Sequence, residues 1–235
     1  MDASTLTWAV ARAAGMMAFV LSSASVLAGI ALSLKWRSAT WPRFVTNEVH
    51  RFITLVSLVF IALHGVAVLI DPFIGFTPVE VLVPLAIHYR PLWVALGVVA
   101  GYLLLALWIS EWLRPRIGYA AWRAFHSLAF AAWGLGLVHG IATGTDTRTW
   151  WGLGLYGTSV ALVVALLAVR LLPSDPRRPS HPVAAGIGAL ILAEVILWTV
   201  LGPLQPGWNA IANNGNGSGQ AGTAVSSPAN GTPSP

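Results

Sequence analysis

The chain contains no cysteine, which excludes disulfides, thiolate metal ligands and cysteine-bound iron–sulfur clusters. Charge is scarce: 9% of the 235 residues are Asp, Glu, Lys or Arg, against roughly a quarter in soluble domains. No Gly-x-Gly-x-x-Gly run follows a strand pattern, so the dinucleotide-binding signature is missing. What is present is apolar: 56% of residues are hydrophobic and the mean hydropathy is +0.73. That balance does not suit an ordinary soluble protein. The 23 Gly and 15 Pro fit transmembrane helices better than soluble ones, and many of the 12 Trp lie near the ends of apolar runs, as an interfacial belt would place them.

A helix needs about 20 apolar residues to cross a bilayer. Six stretches qualify, at roughly 8–34, 47–70, 91–113, 120–142, 151–172 and 182–202. The expected fold class is therefore all-α, a polytopic membrane helical bundle with six transmembrane helices filling residues 1–204. The segment DPFIGFTPVEVLVPLAIHYRP (71–91) is too short in its apolar part and too broken by proline to span, and reads as an interfacial or re-entrant piece. From about 205 to 235 the chain loses charge and apolar period and becomes rich in Gly, Asn, Ser and Pro, the composition of a disordered tail.

The net charge of +5 is no nucleic-acid footprint, because the basic residues fall between apolar runs and act as topology signals. Lys35, Arg37, Arg43 and Arg51 flank the first connection, Arg114, Arg116 and Arg123 the third, and Arg170, Arg177 and Arg178 the fifth. Arg12, Arg90 and Arg148 fall on the other side. The richer side is cytoplasmic by the positive-inside rule, which predicts a multi-pass protein of the cell membrane with both termini and the tail external. The first segment could instead be a cleaved signal peptide, with SSASVLA offering small residues for processing; the lack of a basic stretch before Arg12 argues against it.

Four of the six histidines sit in two brackets, HRFITLVSLVFIALH (50–64) and HSLAFAAWGLGLVH (126–139). The second and fourth segments cross the membrane in the same direction, so His50 matches His126 in depth near the cytoplasmic face and His64 matches His139 nearer the outside. Spacings of 14 and 13 residues correspond to about 21 and 19.5 Å of helix rise, which stacks two pairs inside a hydrocarbon layer about 30 Å thick. Fourteen residues at 100° each return to within about 40°, so His50 and His64 share a face, whereas thirteen leave His126 and His139 about 140° apart. Either the fourth helix is distorted, around Gly134 and Gly136, or two cofactor planes are rotated relative to each other.

The chemistry that fits two depth-matched pairs is bis-imidazole ligation of heme iron, one heme per level. A zinc site wants three or four converging ligands instead. Proton relay and polar contacts between helices, as in a cofactor-free transporter or membrane scaffold, are the competing uses of intramembrane histidine.

HRFITLVSLVFIALHGV and WRAFHSLAFAAWGLGLVHGIATGTD together resemble the ferric reductase-like transmembrane family. That family includes the membrane halves of NADPH oxidases and iron reductases, and the heme subunit of the periplasmic methionine sulfoxide reductase system. The resemblance is good over 46–146. It implies that His50, His64, His126 and His139 are the axial ligands of two b-type hemes, in a conduit carrying electrons from a cytoplasmic donor to an external acceptor. The acceptor would be ferric iron, oxygen or a partner oxidoreductase such as a methionine sulfoxide reductase. Family members that work as complete NAD(P)H-driven reductases append a flavin and nicotinamide domain. None is present in this sequence, so a separate flavoprotein or a quinol is the expected donor.

Arg51 and Arg123 lie beside the inner histidines at the cytoplasmic boundary, where heme propionates want a counter-charge. Arg12, Arg90, His88 and Arg148 lie toward the outer face, suited to outer propionates or an anionic acceptor. Glu194, inside the sixth segment, is expected to be neutral, paired with Arg12, or a proton carrier. Phe130 and Trp133 fall between the two levels, as packing or as an electron bridge. GVVAG (97–101) is a small-xxx-small motif for close helix contact or a dimer.

Overall fold

The computed structural model describes residues 3–34, 42–72, 75–171 and 195–208. These form α1 (Ala3–Ser33), α2 (Arg43–Ile70), α3 (Pro78–Leu82), α4 (Pro91–Ile117), α5 (Tyr119–His126), α6 (Ala129–Thr143) and α7 (Trp150–Leu171), with a further helical stretch at 195–201. There is no strand among the described residues. Five helices are long and apolar enough to cross a membrane, α5 and α6 together counting as one. The protein is a multi-pass, all-helical membrane protein. Most of the sixth expected span, with Glu194, and the expected tail from 209 onward lie outside the described residues, as do Lys35, Arg37, Arg177, Arg178 and His181.

The long helices overrun the apolar stretches. α2 starts at Arg43 and α4 continues through Arg114 and Arg116, because cationic side chains can leave the hydrocarbon while the backbone stays helical. On α2, Phe52, Leu55, Val59, Leu63, Val66 and Ile70 recur every three or four residues and each is at least 43% exposed. That stripe is the lipid face. The buried residues of the same helix, Thr46, Ser57 and Ala67, lie off it. Ala11, Ala14 and Ala18 of α1 are buried, and small side chains let α1 come close to α2. Hydroxyls tie the two helices across the apolar layer: Ser22 and Ser57 are 2.7 Å apart, Ser25 and Thr54 also 2.7 Å, and Ser57 donates to the Ala18 carbonyl at 3.2 Å.

The helix expected at 120–142 is broken, but not at its glycines. It runs unbroken through Gly134 and Gly136 and breaks at Ser127–Leu128, directly after His126. There Ser127 N–H reaches the Ala124 carbonyl (3.3 Å), Leu128 N–H the Phe125 carbonyl (3.0 Å) and Phe130 N–H the Ser127 carbonyl (3.3 Å). Such three-residue bonds wind the chain by about 120° per residue rather than 100°, which reduces the 140° mismatch between His126 and His139. The Ser127 hydroxyl, donating to the Ala124 carbonyl at 2.6 Å, gives the backbone a local alternative to the helix ladder. Gly134 and Gly136 have open space where a side chain would be, so nothing there forces a distortion.

Residues 71–91 do not span. Thr77 caps the short α3 by a reciprocal capping box with Glu80. The chain then turns irregularly, with Leu85 and Arg90 at φ 68° and 47°, into the first turn of α4. α4 packs on α6, and α1 packs on α2, α6 and α7, but α2 and α6 are not packed closely on each other. The two helices that carry the histidine brackets stand apart, spanned by their side chains.

Candidate functional site

Across that separation the structure brings together both depth-matched pairs. The ring centroids of His50 and His126 are 6.2 Å apart, and those of His64 and His139 are 6.3 Å apart, with ring planes at 76° and 75°. Two metal–imidazole bonds of about 2.0–2.1 Å, each extended from the ring nitrogen to the ring centre, give a centroid separation of this size. Both pairs match the spacing of imidazoles bound to opposite sides of one metal. Among the described residues no three His, Asp or Glu side chains converge, so a structural zinc site does not fit.

The histidines are oriented from behind. His50 Nδ1 lies 2.9 Å from the Ser25 carbonyl, His64 Nδ1 2.7 Å from the Ala11 carbonyl, and His139 Nδ1 2.9 Å from the Trp93 carbonyl. A carbonyl can only accept, so each Nδ1 carries the proton and each Nε2 keeps its lone pair for a metal. Four residues after each carbonyl comes a glycine: Gly29, Gly15 and Gly97. A Cβ on Gly97 would lie 2.6–2.7 Å from the His139 ring, on Gly15 3.0 Å from His64 Nδ1, and on Gly29 3.5 Å from His50. In a helix the residue at n+4 stands over the carbonyl of residue n. Glycine there bares the carbonyl's second lone pair to a neighbouring imidazole. Ring spacing fits a heme between the imidazoles at each level, and hydrogen bonding and tautomer fit it for His50, His64 and His139.

Sequence reasoning missed these seats, though a signal was present. Gly15 and Gly29 are 14 apart, the same interval as His50 and His64 on the antiparallel partner. GVVAG divides its roles, with Gly97 receiving His139 and Gly101 facing Ile61 of α2, where a Cβ would sit 3.6 Å away.

His126 differs from the other three. Its Nδ1 is buried without a hydrogen-bond partner among the described residues. Its ring stacks on Trp122, centroids 4.7 Å apart and planes at 23°.

Between the levels, Trp133 donates from Nε1 to Ser23 Oγ at 2.9 Å and stacks on Phe19 at 6.3 Å. Phe130 is half-buried one turn away. Near the His50–His126 level Arg51 is exposed and pairs with Glu48 at 3.7 Å, while Arg123 is exposed on a shallow groove beside Tyr119 and Ser127.

At the other level Arg12 has a partner the sequence did not suggest, while Glu194 lies outside the described residues. Arg12 pairs with Asp146, in the turn before α7, through both Nε and Nη2, and lies against Trp8 and Trp151. Asp146 is 134 positions away in a connecting turn, which the spacing of intramembrane charges could not reveal. Arg90 is buried and donates from Nη1 to the Ala142 carbonyl at 2.6 Å, a cation at the C-terminus of α6. Trp208 donates to the same carbonyl at 3.1 Å and packs against Trp93 and Trp198. His88 bonds Glu80, and Arg148 is exposed. The Thr77 backbone N–H, the His88 side chain and the Thr77 hydroxyl hold the Glu80 carboxyl at about 2, well below the usual range.

The sequence model for the ferric reductase like transmembrane component matches residues 14–137, just over half of the chain. No curated protein and no solved structure matches.

Proposed function

Because the chain belongs to the ferric reductase-like transmembrane component family, we propose that it is a di-heme b electron conduit of six spans. It takes electrons from a cytoplasmic flavoprotein or quinol and delivers them to an external acceptor, ferric iron, oxygen or a partner oxidoreductase. The observation that carries this reading is the pair of ring separations, 6.2 and 6.3 Å, at two depths of one bundle. Polar contacts between transporter helices have no need of two imidazole pairs at metal-bridging distance. His50 and His126 hold the inner site, and His64 and His139 the outer. When bound, heme supplies a one-electron carrier at each level.

The chain's own residues set the conditions for that carrier. The Ser25, Ala11 and Trp93 carbonyls keep protons on Nδ1 and fix the ring orientations. Trp133, Phe19 and the Ser22–Ser57 contact lie in the layer between the levels. Arg51 and Arg123 are placed as cytoplasmic counter-charges for inner propionates.

Purified protein from heme-replete cells should give a low-spin spectrum and two hemes per chain by pyridine hemochrome assay. In sealed vesicles, reduction from the cytoplasmic side should reach an impermeant acceptor outside. A colourless preparation would sink the proposal; a heme-loaded one that fails to reduce the acceptor would leave heme binding standing and refute the conduit.

A further inference from the structure

Resting on that reading, we infer that Trp122 is the positioning residue of His126, standing in for the carbonyl-and-glycine seat that the other three histidines have. The register of α4 against the α5–α6 pair shows why a substitute is needed. Thirteen residues separate His139 from His126, and thirteen residues along antiparallel α4 from Gly97 lies Ser110. That side chain is buried, and its hydroxyl donates to the Leu107 carbonyl at 2.6 Å. By the same n+4 relation Ser110 stands over the carbonyl of Ala106, and its Cβ occupies the place where a glycine would bare that carbonyl. The orphaned Nδ1 of His126 is the consequence.

His126 is also the last residue of α5, one position before the helix breaks. Its backbone direction is therefore held less firmly than that of a ligand inside a continuous helix. One turn earlier, Trp122 presents its face to the imidazole at 4.7 Å. On its other side the Arg114 guanidinium lies 5.3 Å from the indole centroid and Arg114 pairs with Glu111 at 3.0 Å, while the indole Nε1 is buried without a hydrogen-bond partner among the described residues. Glu111, Arg114, Trp122 and His126 form a relay of contacts from the end of α4 to the inner ligand. A stacked face sets the plane of an imidazole, but it does not hold Nδ1–H as a carbonyl does. His126 is the one ligand of the four whose grip depends on an aromatic neighbour.

The test compares Trp122→Leu, which keeps apolar bulk, with Trp122→Phe, which keeps an aromatic face, in the full-length heme-loaded protein. Low-spin electron paramagnetic resonance in the oxidised state and carbon monoxide binding after dithionite reduction are the readouts. The Leu variant should keep both hemes by hemochrome assay, yet one of the two should lose its low-spin signal and bind carbon monoxide. The Phe variant should restore the wild-type spectrum. If the Leu variant matches wild type in both readouts, the inference is wrong. Loss of both hemes in the Leu variant would also overturn it, since Trp122 would then support the bundle as a whole. Absence of heme from the wild-type chain would instead refute the underlying reading.

Discussion

At the outer level both imidazoles are clamped by bare backbone, His64 by Ala11 and Gly15, His139 by Trp93 and Gly97. At the inner level His50 has such a seat, with Ser25 offering its carbonyl at 2.9 Å and its hydroxyl at 3.1 Å, but His126 has only the face of Trp122. The surroundings differ in the same sense. Near the outer pair lie the Arg12–Asp146 ion pair and the bonds of Arg90 and Trp208 to the Ala142 carbonyl, whereas Arg51 and Arg123 near the inner pair are exposed. Similar ring separations are thus produced by unequal scaffolds. A ligand pair needs only its distance and tautomer, and the restoring force behind each ring can vary independently of both.

The largest effects should come from removing a ligand outright. His50→Ala or His126→Ala should abolish the inner heme, and His64→Ala or His139→Ala the outer, halving the hemochrome ratio in each case. Carbon monoxide should not bind the remaining heme, which keeps both of its imidazoles. His88→Ala should leave heme content unchanged, because His88 is tied to Glu80 and not to the bundle interior. Loss of heme in His88→Ala with retention in His64→Ala would break the comparison by moving the outer site.

The glycine seats give a graded series. Gly97→Ala places a methyl 2.6–2.7 Å from the His139 ring, Gly15→Ala 3.0 Å from His64, and Gly29→Ala 3.5 Å from His50. Overpacking a filled site costs about 1–3 kcal/mol, and about 1.4 kcal/mol is a factor of ten in occupancy. Gly97→Ala should lower outer-heme retention by about tenfold under partial-loss conditions, Gly15→Ala by less. Gly29→Ala should be neutral or slightly stabilising, since its methyl meets ordinary contact and alanine is the better helix former by about 1 kcal/mol. Heme-release rates to an excess of apomyoglobin rank the three. A ranking led by Gly29→Ala would refute the seat geometry.

Much of this site was legible in the sequence because it is periodic. Membrane length located the five described spans to within a few residues, and the 14- and 13-residue intervals paired the histidines whose rings lie together, His50 with His126 and His64 with His139. The phase conflict at His126–His139 was legible as well, but its resolution was not. A glycine is the obvious place to bend a helix, whereas the observed break depends on a serine hydroxyl competing for a backbone carbonyl. The seats were hidden for another reason. Their function lies in a missing side chain and a main-chain oxygen, and neither registers in a search for ligating residue types. Arg12–Asp146 escaped because Asp146 reaches in from a connecting turn 134 positions away, outside the intramembrane segments.

The smallest expected effect separates the two faces by pH. Glu80 accepts hydrogen bonds from the Thr77 backbone N–H and hydroxyl and from His88, which ties α3 to the entrance of α4. Those bonds favour the carboxylate and lower its pKa from 4.5 to about 2. A carboxyl with a depressed folded-state value stabilises fully above its unfolded value, and that contribution is lost as pH falls through the folded one. The 75–90 loop should therefore keep its order at neutral pH and loosen progressively between pH 4.5 and about 2. Amide exchange of Thr77 to His88, followed in lipid nanodiscs by stepwise acidification, should rise over that window while the amides around His50 stay protected. Glu80→Gln should show the faster exchange already at neutral pH and lose most of the acid response. If the substituted loop exchanges like wild type at every pH, Glu80 does not anchor the outer face, and the loop's order must come from the aromatic contacts of Phe76 with His88 and Tyr89.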